Sequence, residues 1–182
     1  AAERKYDGQR AQVHRTADGT IKIFSRKLDD MTSKYPEVVT AVVRSARSAA
    51  AFIVDAEIVP IALAAAADNN EGGADAAAAA DKEEQAAAGG AALLSFQALS
   101  TRKRKHVTEA NAAASSTAVK LLLFDVLHLD GAPLLASPFG ERRARMHTHF
   151  APLTDVVEFA EYTDVTVAVP PPVAKVKAPA KA

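Results

Sequence analysis

A chain of 182 residues is sized for one domain, and its 22 basic and 22 acidic residues leave no bulk charge to draw it to nucleic acid, so any such contact has to use a local basic patch. Of its residues 49% are hydrophobic but only 5% aromatic. Much of that apolar fraction is alanine, which buries little area, so the core has to come from a few Val, Leu, Ile and Phe runs. With no cysteine, a disulfide framework and thiolate metal sites are excluded. No apolar run has the length of a membrane span or the flanks of a secretory signal.

In chain order, the first chemical signal is Glu3-Arg4-Lys5-Tyr6-Asp7-Gly8-Gln9-Arg10, where one lysine stands beside an acid, a glycine and an arginine. Alone it also fits a solvated lysine before a tight Asp-Gly turn. Residues 11–15 and 20–26 alternate as strands, and Ala17-Asp18-Gly19 supplies a hairpin turn. In the second run Ile21, Ile23 and Ser25 share one face, and Lys22, Phe24 and Arg26 the other. Arg26 therefore ends a strand that can point back to Lys5, unless it is a plain edge-strand arginine. Pro36, Glu37, Arg44 and Arg47 mark the two ends of a helix, with Val38, Val42 and Ser45 on one stripe.

Residues 51–59 read as a strand with Phe52, Val54, Ala56 and Ile58 buried and Ile53, Asp55 and Glu57 opposite. Two carboxylates then face one space, or simply face water. Residues 62–92 collapse into alanine, glycine and acids, a low-complexity insertion predicted to be mobile rather than a domain. After Phe96-Gln97 comes Thr101-Arg102-Lys103-Arg104-Lys105, whose cations fit a nuclear-localisation signal, a phosphate-binding surface or a solvated helix end. Residues 119–129 give the clearest strand, with strict alternation placing Leu121, Leu123, Asp125 and Leu127 on one face and Leu122, Phe124, Val126 and His128 on the other, ahead of an Asp130-Gly131 turn. Ser137-Pro138 is predicted to cap a helix through residues 141–146, and residues 156–162 to add a strand. The five histidines show no convincing metal spacing. Residues 166–182 read as a flexible Pro/Ala/Lys tail.

Lys5-x-Asp7-Gly8, Phe24-Ser25-Arg26, Lys34-Tyr35-Pro36, Phe52-Ile53-Val54-Asp55-Ala56-Glu57, Phe96-Gln97, the 101–105 run and Leu123-Phe124-Asp125-Val126-Leu127 occur in the order and approximate spacing of one enzyme family. Over about 160 residues the chain resembles the adenylation domain of ATP-dependent DNA ligases, of the eukaryotic DNA ligase I type. The Phe-Gln to Arg-Lys-Arg-Lys segment weighs against RNA ligases and capping guanylyltransferases. The resemblance implies an α+β, ATP-grasp-like nucleotidyltransferase domain with antiparallel sheets over residues 1–165. It implies ATP and Mg²⁺ as cofactors and nicked double-stranded DNA as partner, in a nuclear monomer serving replication, repair and recombination; an organellar role is also compatible.

By that resemblance Lys5 is the nucleophile. Glu3 reads the adenine amino group, Arg10 and Glu57 hold the ribose, Glu57 also lies by the metal, Arg26 sits by the phosphate and Phe124 stacks on the base. Arg102, Lys103, Arg104 and Lys105 would contact DNA. An unperturbed lysine, with a pKa of about 10.4, is ammonium at neutral pH, so a nucleophilic one needs desolvation or nearby cations. Arg4 stands where the family usually has an apolar or aromatic residue. Past Thr163 the family's Glu-Gly-hydrophobic-hydrophobic-Lys segment, second lysine strand and OB-fold find no match, nor does its N-terminal DNA-encircling domain. The chain is therefore expected to be an incomplete adenylation domain whose lysyl-AMP formation is slow to undetectable. The alternative is a silent remnant that only binds ATP or DNA.

Overall fold

The computed structural model describes residues 2–62, 91–100, 117–154 and 156–165. The predicted insertion and tail fall almost wholly outside these residues, as do Arg102, Lys103, Arg104 and Lys105. In chain order the elements are β1 (Ala2–Glu3), β2 (Gln9–Arg15), β3 (Ile21–Ser25), a 3-10 turn at Thr32–Lys34, α1 (Pro36–Ser45), β4 (Phe52–Ile61), α2 (Gln97–Ser100), β5 (Ala118–Leu129), β6 (Ala132–Pro133), α3 (Phe139–His149), β7 (Val157–Phe159) and β8 (Tyr162–Thr163). No helix among the described residues is long and apolar enough to cross a membrane.

The main sheet runs β3-β2-β4-β5-β6, antiparallel throughout, with β7 added parallel to β5. β1 and β8 form a separate antiparallel pair. The single strand predicted at 156–162 is thus two short ones in different sheets.

Alternation works as expected in the first strands. Ala11, Val13, Ile23, Phe52, Val54, Ala56 and Ile58 are all fully buried on one side of the sheet, leaving Arg10, Gln12, Lys22, Phe24, Asp55 and Glu57 for the other. The buried side is covered by α1 through Val38, Ala41 and Val42, and by the α3 end through Met146 and Phe150. Phe150 meets Phe52 edge to face at 5.0 Å between ring centroids. Buried Ser45 at the end of α1 is satisfied, its hydroxyl donating to the Ala151 carbonyl at 2.6 Å. Pro36 occupies the first turn of α1 as predicted. The cap of α3 does not follow the prediction: Pro138 is the N-cap residue, no side chain bonds the first turn, and the Ser137 carbonyl instead accepts from Arg142 Nη1 at 2.7 Å.

Strict alternation fails in β5. Its register against β4 slips between Asp55 and Ala56 and again between Ile53 and Val54, so β5 carries an extra residue at each place. Val119, Leu121 and Leu123 point to the core, but the next core residue is Val126, with Leu129 after it. Leu127 is only partly buried. The Asp130-Gly131 turn has φ of 44° and 87°, the doubly left-handed conformation of a tight hairpin. Asp130 Oδ1 accepts the N–H groups of both Ala50 and Ala51 at 2.8 Å, tying the start of β4 to the end of β5.

The two bulges separate residues that plain alternation would treat alike. Leu123→Ala is expected to cost about 2–5 kcal/mol of stability as a full core truncation, and Leu127→Ala less than half as much, in urea unfolding monitored by circular dichroism. Equal losses would contradict the register.

Candidate active site

The Lys5 turn lies against the outer face of β4. Gly8 packs so closely there that a Cβ on it would stand 2.5 Å from the Ile58 carbonyl oxygen and 2.8 Å from Glu57 Cγ. Backbone cannot yield at that distance, so glycine is required by space rather than by φ. Before the turn, the Arg4 N–H donates to the Glu161 carbonyl at 3.0 Å, and the Arg4 guanidinium pairs with the Glu161 carboxylate at 3.0 Å. Tyr6 Oη accepts the Glu161 N–H at 3.1 Å, and burial pushes its phenol pKa up. Asp7 Oδ2 accepts the Phe96 N–H at 2.9 Å. Arg4, the departure from the usual apolar neighbour, thus has its charge directed at Glu161.

These contacts leave Lys5 lining a cavity of about 600 Å³, together with Glu3, Arg10, Arg26, Glu57 and Phe124. All six residues singled out from the sequence around the nucleotide line this one space. Lys5 is exposed, so burial does not supply the desolvation expected of it. Arg26 follows the last residue of β3, in a turn shaped by Ser25. The Ser25 hydroxyl accepts the N–H groups of Lys27 and Asp29 at 3.1 Å and donates to Asp29 Oδ2 at 3.0 Å. Leu28 in that turn has φ 66°. Phe124 is the residue that β5 inserts at its first bulge, since Leu123 pairs with Ala56 and Asp125 with Asp55.

Of the two carboxylates on β4, only Glu57 lines this cavity. Asp55 is 5% exposed and is engaged by Arg10, with Nη2 to Oδ2 at 2.6 Å and Nε to Oδ1 at 3.4 Å. That hydrogen bond raises the already high pKa of Arg10. The Arg10 guanidinium carbon also lies 5.5 Å from the Phe124 ring centroid, so Arg10 is braced between an acid and an aromatic face. Asp125, on the neighbouring strand, is held by Arg142 of α3 through Nε at 2.9 Å and Nη2 at 2.8 Å. Lys120 is buried and pairs with Glu158 of β7 at 2.6 Å. A second cavity of about 210 Å³, lined by Arg10, Gln12, Ser25, Arg26, Leu28 and Asp55, adjoins the first.

Sequence reasoning missed Phe96 as a cavity wall, Asp7 as its anchor, and the Arg142–Asp125 pair. Only the last had a legible signal, an unexplained acid in the otherwise apolar run of residues 121–127.

Glu57 is half-buried, and this burial pushes its carboxyl pKa above the usual glutamate range against the pull of Arg10 and Lys5. A raised folded-state pKa means that the native chain binds the extra proton. The resulting stability is complete below the unfolded value, about 4.3, and is lost as pH rises through the folded one. Glu57→Gln is therefore expected to raise Tm by about 1–3 °C near neutral pH, with the gap closing toward about pH 4, in calorimetric scans. A wild-type chain more stable than the variant at neutral pH would refute the burial cost.

Comparison with known proteins identifies the family. A family model described as ATP dependent DNA ligase domain matches residues 1–88 and 85–169. DNA ligase 1 of Schizosaccharomyces pombe is 35% identical over 163 residues, which is 89% of this chain and 18% of that protein. The DNA ligase of Pyrobaculum neutrophilum is 42% identical over 144 residues, 79% of this chain and 20% of that protein. The chain therefore spans about a fifth of the length of these curated relatives. Among solved structures, the ligase domain from M. tuberculosis LigD shares the fold, with a TM-score of 0.50 at 21% identity over 86% of this chain and 37% of that one. With a family model spanning nearly all of its length and relatives 35% and 42% identical, the chain belongs to the ATP dependent DNA ligase domain family.

Proposed function

We propose that this chain is the nucleotide-binding part of an ATP-dependent DNA ligase and that Lys5 carries AMP. The observation behind the reading is that Lys5, Glu3, Arg10, Arg26, Glu57 and Phe124 line one cavity, although they lie on four separate stretches of sequence. The Lys5 amine attacks the α-phosphorus of ATP, a P–N bond forms, the bond to the β-phosphate oxygen breaks, and pyrophosphate leaves. AMP then passes from Lys5 to the 5′-phosphate at a nick, and the adjacent 3′-hydroxyl displaces it as the strand is sealed. Phe124 stacks on adenine beside Arg10, Glu3 meets the adenine amino group, Arg10 and Glu57 hold the ribose hydroxyls, and Arg26 lies by the phosphate. In such transfers the protein's part is mainly positioning and charge stabilisation.

Among the described residues no group of three or more His, Asp or Glu gathers that could hold a metal by itself. Mg²⁺ on a nucleotide needs only one or two carboxylates besides the phosphates, and Glu57 at the cavity wall fits that need. When bound, Mg²⁺ would neutralise charge on the phosphates.

The basic stretch Arg102-Lys103-Arg104-Lys105 supports assignment to the eukaryotic ligase I type, DNA contact and a nuclear location. Action on nicked double-stranded DNA as a monomer, in replication, repair and recombination, follows from the same assignment.

Incubation of the 182-residue chain with Mg²⁺ and ATP labelled at the α-phosphate is expected to leave label slowly on the wild type and none on Lys5→Ala. The adduct should be acid-labile, as a phosphoramidate is. Equal labelling of both would remove Lys5 from its role. ATP bound without labelling of either would replace the ligase reading with a binding-only module.

A further inference from the structure

Asp7 is the member of the Lys5 turn to which no part of the proposed chemistry gives a task. Its neighbours have theirs: Lys5 faces the cavity, Tyr6 is fixed on Glu161, and Gly8 allows the turn to lie on β4. The Asp7 carboxylate instead reaches 89 residues along the chain to accept the backbone N–H of Phe96. Phe96 lines the cavity, yet it is 43% exposed, so burial of its side chain does little to hold it there.

The chain around Phe96 is anchored on both sides. On one, the Leu94 N–H donates to the Pro60 carbonyl at 2.8 Å and Leu93 bridges to Ile61 at the end of β4. On the other, Leu99 is 1% exposed. Between these anchors the first turn of α2 closes through Ala98 N–H to Ser95 and Leu99 N–H to Phe96. The bond from Asp7 joins this turn to the nucleophile loop.

We propose that Asp7 is a positioning residue, clamping Phe96 to the Lys5 turn so that the ring forms a wall of the nucleotide cavity. The clamp stands on geometry alone; its consequence for ATP rests on the function proposed above. An ionised acceptor strengthens such a bond, but an asparagine oxygen in the same place still accepts an N–H. Loss of the acceptor and loss of the charge are therefore separable.

The test compares Asp7→Ala, Asp7→Asn and Phe96→Ala in the full 182-residue chain, by residue-resolved amide exchange and by calorimetric titration with ATP. In Asp7→Ala the Phe96 amide is expected to exchange about tenfold faster than in the wild type, and in Asp7→Asn within about threefold of it. ATP affinity is expected to fall about three- to tenfold in Asp7→Ala and Phe96→Ala and to be largely kept in Asp7→Asn. Unchanged exchange at Phe96 in Asp7→Ala would overturn the clamp. Loss of ATP affinity in Asp7→Asn with Phe96 still protected would overturn it too, since charge alone would then matter. Should Asp7→Ala not fold, Asp7→Asn and Phe96→Ala decide. If the wild type binds no ATP, the proposed function and the wall's role fall together, while exchange at Phe96 still judges the clamp.

Discussion

The close approach of Gly8 to β4 is the constraint from which the rest of the site follows. Only a residue without a Cβ lets the Lys5 turn lie against Ile58 and Glu57, and a methyl group there would push the turn off the sheet. Because the turn is seated at that point, its remaining side chains can reach three different parts of the chain: Lys5 the cavity, Tyr6 the backbone before β8, and Asp7 the turn entering α2. Each of these contacts is modest alone. Together they fix an exposed loop that carries little apolar bulk, using hydrogen bonds where a core residue would use burial.

The floor of the cavity depends on a different device. Two inserted residues bend β5 out of simple alternation and let neighbouring residues do different work: Phe124 lines the cavity while Asp125 receives Arg142 from α3. Removing an ion pair of this kind as a whole is often tolerated, whereas removing one partner leaves a buried charge. Its significance here is orientation. The pair joins α3 to the bulged part of β5, and Asp125 also accepts its own strand's Val126 N–H at 2.8 Å, holding the bulge that presents Phe124.

Where one face of a strand is simply buried, the sequence was readable. Phe52, Val54, Ala56 and Ile58 fell on the core face and Glu57 on the other, and Pro36 and Asp130-Gly131 marked a helix start and a turn because their backbone preferences are local. The bulges were not legible, since an inserted residue changes the count without changing the composition: Leu127 is as apolar as Leu123. Ser137 had the chemistry of a cap, but the chain there presents Pro138 to the helix and directs the Ser137 carbonyl to Arg142. The bond between Asp7 and Phe96 could not be read at all, because nothing in either residue's neighbourhood announces a partner 89 positions away. The six residues proposed to hold the nucleotide were singled out by a family pattern, and the structure adds that they line one cavity.

Charge is what this cavity supplies sparingly. Its lining carries five cationic side chains, Arg4, Lys5, Arg10, Arg26 and Lys27, against the carboxylates of Glu3, Asp7, Asp29 and Glu57. Arg4 and Arg10 are already paired, with Glu161 and Asp55, leaving Lys5, Arg26 and Lys27 as the lining cations that form no ion pair with another described residue. A triphosphate carries about four negative charges near neutral pH, and transition-state stabilisation in phosphoryl transfer rests on fixed positive charge close to those oxygens. On the function proposed above, the cavity therefore offers a triphosphate fewer cations outside ion pairs than it carries negative charges. Burial raises the pKa of Glu57 against the pull of Arg10 and Lys5, so further cationic charge beside it would favour its ionised form. On the function proposed above, a divalent cation bound with the nucleotide would be such a charge, and the two would then support each other's binding at this wall.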